Sequence, residues 1–271
     1  MAARPLPPGV VRAGDFYEIA GSRYLDVAAI AAAYPNARLA AWSATQVARL
    51  ATDDPSWNDL PADQARSYLG AEPERRRSEA SERGRRVRAW IRDALDGLEA
   101  PPMPELVGYT HSAISAITAL RPRLLARDVV VGADEGEYAG QVDLFVSFGA
   151  DGHETSWVIE WNTSPAIAPV HRYKCVGLLA TSWLVTIDGQ HARIADALPP
   201  VAGAIIVNLR PDGSPFLAKV VMDAAANAEL TSLLVIARAA ARHDSDPGFS
   251  EVTSPSDLFP HLTTTPLVGA A

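Results

Sequence analysis

The feature that most constrains this chain lies in its middle third, where three apolar runs rich in β-branched and aromatic residues follow one another with turn residues between them. Residues 125–132, 138–148 and 157–161 each read as a strand of ordinary length, with a loop at 149–153 joining the last two. Three such strands in succession can close a meander. A helix is expected next at 169–185, then a strand pair at 204–209 and 216–221 around the turn sequence "RPDGSP", then a last helix at 223–241. Strands and helices alternating in this order belong to the α/β class, here a mixed β-sheet core flanked by helices.

The N-terminal third has a different character. "DFYEIAGSRYLDV" alternates and turns at Gly21-Ser22, which predicts a hairpin, and helical stretches follow at 27–34 and 37–51. Residues 53–61 are turn-rich, and a long helix is expected over 73–99, interrupted at Gly84 and stopped near Gly97. "APPMP" at 100–104 reads as a linker, and 105–120 as an amphipathic helix. The organisation expected is a helical region at 1–104 packed on an α/β core at 105–241, with a polar, mobile tail at 242–271. No internal repeat is visible.

Composition narrows the function classes. With 48% apolar residues the chain can fill a real core. The single cysteine, Cys175, excludes an intramolecular disulfide and a cysteine-based zinc site, and suits a small buried apolar role. "MAARPLPPGVV" lacks an apolar signal core, so the cytoplasm is the expected location. The longest apolar run, at 175–187, falls short of the roughly 18 residues of a membrane span.

A net charge of −8 opposes nucleic-acid binding through the overall field, so any such contact must be local. The concentrated positive charge is the run Arg75 to Arg77 and Arg83 to Arg88. It reads either as a solvated helix face with glutamates at i,i+4 or as a surface that tracks phosphates. Of 24 basic residues only Lys174 and Lys219 are lysines.

Against this background "VIEWNTSP" stands out. Period-two geometry sends Val158, Glu160 and Asn162 to one side of the strand and Trp157, Ile159 and Trp161 to the other. In "YAGQVDLFV", the same rule sets Gln141, Asp143 and Phe145 opposite Val142, Leu144 and Val146. If the two strands pair, Asp143 and Glu160 converge, and two carboxylates together need a cation. A pair of carboxylates with a carbonyl and water suits Mg²⁺ or Mn²⁺, whose usual work is clamping phosphates. The alternative is a polar sheet edge salt-bridged to nearby arginines. The histidines show no helical metal-ligand spacing, and no nucleophile-elbow, P-loop or dinucleotide glycine motif is present. Trp90, Trp157, Trp161 and Trp183 read as core.

The runs "EYAGQVDLFV" and "WVIEWNTSPAIAPVHRYKCVGLLA" resemble the PD-(D/E)XK nuclease superfamily, in particular the RecB-like exonucleases of bacteriophages that infect actinobacteria. The similarity extends through "SRYLDVAAI", "ERGRRVRAWIRDALDG", "RPRLLARDVVVGADEGEYAG" and "IIVNLRPDG". It implies that Asp143 and Glu160 are metal ligands. The motif lysine that should follow Glu160 is Asn162, and the helix histidine of the family is Arg88. Asp128 stands near a family glutamate, and Lys174 near a family glutamine.

Two functions follow as expectations. One is a Mg²⁺- or Mn²⁺-dependent DNA nuclease with Lys174 as the relocated cation and Arg85, Arg86 and Arg88 on the DNA backbone. The other is a nuclease-derived module that no longer cleaves and binds DNA or a protein partner, Asn162 and Arg88 filling a retired site.

Overall fold

A computed structural model describes residues 6–35, 37–98, 103–134, 137–148 and 154–245. The expected loop at 149–153 and nearly all of the expected tail lie outside the described residues.

The N-terminal segment forms three strands, β1 (Val10–Ala13), β2 (Phe16–Ile19) and β3 (Ser22–Asp26). The β2–β3 turn sits at Ala20-Gly21, one residue earlier than the sequence suggested, with both residues at positive φ. That backbone matches the twist of a tight hairpin. Asp26 ends β3 and caps α1 (Val27–Ala32), its carboxylate accepting from Ala28 N–H at 2.8 Å. Two long helices follow, α2 (Ala37–Asp53) and α3 (Ala62–Leu95), separated by a 3₁₀ turn at Pro55–Asp59.

Helix α3 begins well before the expected start at 73 and carries Pro73 inside it. A proline removes one intrahelical donor, a local cost that the rest of a 34-residue helix absorbs. Most of the expected linker at 100–104 lies outside the described residues; a 3₁₀ turn at Pro104–Leu106 leads into α4 (Val107–Leu120).

The meander is present, but its first two strands are each broken in two. The run 125–132 becomes β4 (Arg123–Arg127) and β5 (Val130–Gly132), and 138–148 becomes β6 (Tyr138–Gln141) and β7 (Leu144–Phe148). The breaks lie side by side. Asp128 N–H donates to the Asp143 carbonyl at 3.1 Å, and Val142 N–H to the Val129 carbonyl at 2.9 Å. Asp128 takes φ +50°, a left-handed conformation that aspartate tolerates better than most residues. The bend resets the alternation expected for 138–148: Val142 packs in one core with Phe145, while Leu144 and Val146 pack in another.

The bent ribbon thus passes from one sheet into the other. After β8 (Thr155–Asn162) come α5 (Pro169–Leu179), β9 (Trp183–Val185), β10 (His191–Arg193), α6 (Ile194–Ala197), β11 (Val201–Asn208), β12 (Phe216–Val220) and α7 (Ala224–Ser245). The helix expected at 169–185 therefore stops at Leu179. Trp183, Leu184 and Val185 are instead drawn into a ladder with β5 and β10, which the periodicity did not reveal. Helix α7 starts from Asp223, whose carboxylate accepts from Ala226 N–H at 2.7 Å, and runs past the expected end at 241.

One sheet has the order β1-β2-β3-β6-β5-β9-β10 and the other β12-β11-β8-β7-β4. Each is mixed, with β3 parallel to β6 and β8 parallel to β11. The β3–β6 pairing joins the N-terminal strands directly to the central ribbon. Helices α1, α5 and α7 cover one side of the five-stranded sheet through a core including Ile30, Val158, Val176, Leu178 and Leu230. Helices α3 and α4 cover the other through Val87, Trp90, Ile91, Ala113, Ile159 and Trp161. Burying each such large apolar side chain contributes about 1.5–3 kcal/mol. Cys175 is fully buried in the first core, as expected for an inert small side chain. The fold class is α/β with two mixed sheets flanked by helices.

Candidate functional site

The bend in the ribbon places Asp143. Strands β7 and β8 pair antiparallel with Leu144 opposite Ile159, and Asp143 lies at the bend just before β7. The Asp143 carboxylate turns along β8 and accepts from the Trp161 N–H at 2.9 Å. Both acids are buried, at 5% and 6% exposure. The expected pairing of the two strands is observed.

Helix α5 crosses the face of β8 that carries Glu160, and Lys174 projects from it onto Glu160, its ammonium paired with Oε1. Lys174 is 23% exposed and reaches the acid from solvent. The adjacent Cys175 reports the charges converging here: burial first, then Glu160, pushes its thiol up, Lys174 acts in the opposite sense, and Asp143 adds to the rise. His171, one turn earlier on α5, has its pKa lowered by burial and then by Lys174. Its Nδ1 accepts from Ala168 N–H at 2.9 Å, which closes the first turn of the helix.

Asn162 does not join this cluster. Its Oδ1 accepts from Ser164 N–H at 3.1 Å and from the Ser164 hydroxyl at 2.5 Å, forming the turn that ends β8 before Pro165. The amide on the strand therefore has a local structural use. Next to it, Thr163 meets α3 at Gly84. A Cβ on Gly84 would stand 3.2 Å from the Thr163 hydroxyl and 3.6 Å from both terminal nitrogens of Arg88. The Arg88 guanidinium thus lies back along α3, over the glycine.

Between α3, the N-terminal strands and α5 opens a cleft of about 470 Å³. Among the described residues its wall carries five cationic side chains, Arg12, Arg85, Arg88, Arg92 and Lys174, against two carboxylates, Asp26 and Asp128. Asp26 is itself paired with Arg12 at 2.5 Å. Asp143 and Glu160 are not part of this wall. Arg85, Arg88 and Arg92 recur at i, i+3 and i+7 and so share one helix face, a row about 10 Å long at 1.5 Å per residue.

The remaining basic residues of α3 behave as a solvated face. Arg75 pairs with Glu72 and Glu79, Arg76 with Glu72, and Arg77 with Glu74, all at i,i+3 or i,i+4. Arg85 also pairs with Glu82. Arg86 is directed away from the cleft, onto Glu105 and the Met103 sulfur. Lys219, the other lysine, lies over the Trp157 ring at 5.1 Å, on β12.

Sequence reading missed Arg12 and Arg92 as members of the wall. Arg92 had a signal, one turn beyond Arg88 on the same helix. Arg12 had none, because it arrives through pairing of the N-terminal strands.

A divalent ion asks for several oxygen ligands at once. Among the described residues no group of three or more His, Cys, Asp or Glu side chains is placed to hold one. Asp143 Oδ2 is engaged by a backbone donor, and Glu160 Oε1 by an ammonium. As arranged, the donors do not fit a Mg²⁺ or Mn²⁺ centre. The chemistry on offer is that of oriented cations, which bind and neutralise anions.

No protein-family model and no curated protein matches the chain. Among solved structures, an alkaline exonuclease from Laribacter hongkongensis is similar over 51% of this chain and 69% of its own, with 11% identity and a TM-score of 0.31. The structure of SSO0001 is similar over 63% of this chain and 74% of its own, with 15% identity and a TM-score of 0.28. No helix of the described residues is long and apolar enough to cross a membrane.

Proposed function

We propose that the chain is a nuclease-derived protein that binds the phosphate backbone of DNA in the cleft between α3 and α5, without metal-dependent cleavage. One observation carries this reading. The cleft wall offers five cationic side chains, whereas the two acids that the nuclease resemblance marks as metal ligands lie outside it, Glu160 already neutralised by Lys174. A local basic cleft in a chain of net charge −8 concentrates attraction for an anion at one place. The arginine row suits successive phosphates better than a single small anion, since it extends about 10 Å.

The test is fluorescence anisotropy with single- and double-stranded DNA in EDTA, then in Mg²⁺ or Mn²⁺. Binding should persist in EDTA and weaken with salt, with a log–log slope of roughly −2 to −3 for about three neutralised phosphates. Arg88→Ala and Arg92→Ala should each weaken it, while Arg86→Ala should not. No DNA binding by a folded protein would turn the search to a protein partner.

A second reading is favoured by the reach of Lys174 to Glu160. Here the lysine takes the place of the motif cation, and Asp143 and Glu160 bind Mg²⁺ or Mn²⁺ for phosphodiester hydrolysis. An oriented donor on developing charge is worth roughly 10²–10³ in rate. Metal-dependent degradation of DNA, abolished in both Asp143→Ala and Lys174→Ala, would select this reading over the first.

A further inference from the structure

We infer that the chain pairs with a second copy of itself through the outer edge of β12, the two strands running antiparallel about a two-fold axis at Ala218, so that the two five-stranded sheets become continuous. No residue of β12 lines the cleft, so this pairing and the DNA-binding function stand or fall separately.

Each sheet ends in two strands whose outward N–H and C=O groups are a template for another strand, and proteins guard such edges with short strands, prolines or charges. Three of the four edges here are guarded. Strand β10 is three residues long, β1 follows Pro7 and Pro8 and carries Arg12, and β4 has an arginine at each end, Arg123 and Arg127. Strand β12 carries one charge, Lys219, and among the described residues no strand pairs with its outer side. Even that charge is drawn off the edge. The Trp157 ring lies across Gly203 of β11, where a Cβ would stand 2.8 Å from Cζ3, and Lys219 reaches back over the same ring, its ammonium 5.1 Å from the centroid. Phe216 and Leu217 remain 46% and 39% exposed.

The occupant follows from what the strand tolerates opposite itself. An axis at Ala218 sets Phe216 opposite Val220 of the second copy, an aromatic against a β-branched side chain on one face. On the other face it sets Leu217 against the alkyl stem of Lys219 of the second copy. No like charges stand opposite each other. Moving the axis by one residue either brings Pro215, which has no donor, into the ladder or sets Lys219 opposite Lys219 of the second copy. A ladder of five residues is about 17 Å long, a small interface, so the dimer is reversible with a Kd on the order of 10 µM.

Sedimentation velocity of the full chain, from about 1 to about 200 µM, brackets that value and should show monomer passing to dimer. Leu217→Lys places a lysine opposite Lys219 of the second copy and should weaken the dimer by roughly tenfold or more. Adding Lys219→Glu to it should restore association, since opposite charges then face each other, while Leu124→Lys on the β4 edge should change nothing. A cross-link gives a second reading. Cys175 is buried, so Ala218→Cys should form an intermolecular disulfide across the axis under mild oxidation, and Leu124→Cys should not. If Leu217→Lys does not fold, the cross-link decides. A wild type that stays monomeric throughout, a dimer that a folded Leu217→Lys leaves intact or that Leu217→Lys/Lys219→Glu fails to restore, or an Ala218→Cys that links no better than Leu124→Cys would each overturn the inference.

Discussion

Two buried glutamates in this protein solve the same problem by different routes. Glu72, 3% exposed, is held by Arg75 and Arg76, three and four residues further along its own helix. Glu160 is held by Lys174, which comes from another element and stands beside a second buried acid. Both arginines of Glu72 are about half exposed, so water can take over when the acid is lost. At Glu160 the partner comes from a separate helix and is only 23% exposed, so water is less able to take its place. A helix pair can therefore be removed cheaply, while the pair at the sheet corner is tied to the placement of three elements.

The largest effect that would break this contrast is at Lys174. Lys174→Met removes the ammonium from the buried Glu160 carboxylate and should cost about 3–5 kcal/mol, read from urea unfolding at neutral pH. That cost should shrink as pH falls, because the stranded acid can take up a proton. A loss as small as that of a surface pair would erase the distinction between the two glutamates.

Next comes the seat of α5. Gly177→Ala forces a Cβ onto the buried Val27 and should destabilise by about 1–3 kcal/mol, although alanine is the better helix former. Its sharper consequence is geometric: the Glu160–Lys174 pair should loosen, which a double-mutant cycle with Lys174→Met would register as non-additivity. Strict additivity would mean that the helix seat and the ion pair are independent.

Glu72→Gln should cost only about 1 kcal/mol, since it exchanges a charged acceptor for a neutral one beside solvated arginines. The smallest effect is its pH dependence. Burial raises the Glu72 pKa, Arg75 and then Arg76 lower it, and the net shift is downward. A folded-state pKa below the unfolded one means stability that is present above about pH 4.3 and lost as pH falls through the folded value. The Tm difference between wild type and Glu72→Gln should accordingly close in acid. A difference that widened below pH 4 would show that the pairs with Arg75 and Arg76 do not govern this group.

Much of the frame was legible before any coordinates. The meander, the β11–β12 hairpin around "RPDGSP" and the helices at 27–34, 37–51 and 105–120 follow from periodicity and turn chemistry. Their observed limits shift by a few residues, where caps such as Asp26 and Asp223 decide them. The pairing of the α3 arginines with glutamates at i,i+3 and i,i+4 was equally readable, because those partners lie within one turn. What escaped was set by contacts distant in the chain. Residues 183–185 look like the end of a helix and become a strand because β5 and β10 offer them ladders. The runs 125–132 and 138–148 look continuous, and bend because two sheets share them.

The sequence by itself determined the α/β class, the local charge pairs and the alternation that turns Glu160 inward, since each depends on neighbours within a few residues. Only the tertiary structure decided that Lys174 completes Glu160, that Arg88 and Arg92 turn to the cleft while Arg86 does not, and that Asn162 serves a turn. Each of those outcomes depends on where a helix is seated against a strand, and that seating follows from packing at positions such as Gly84 and Gly177, where a missing side chain sets how closely the elements approach.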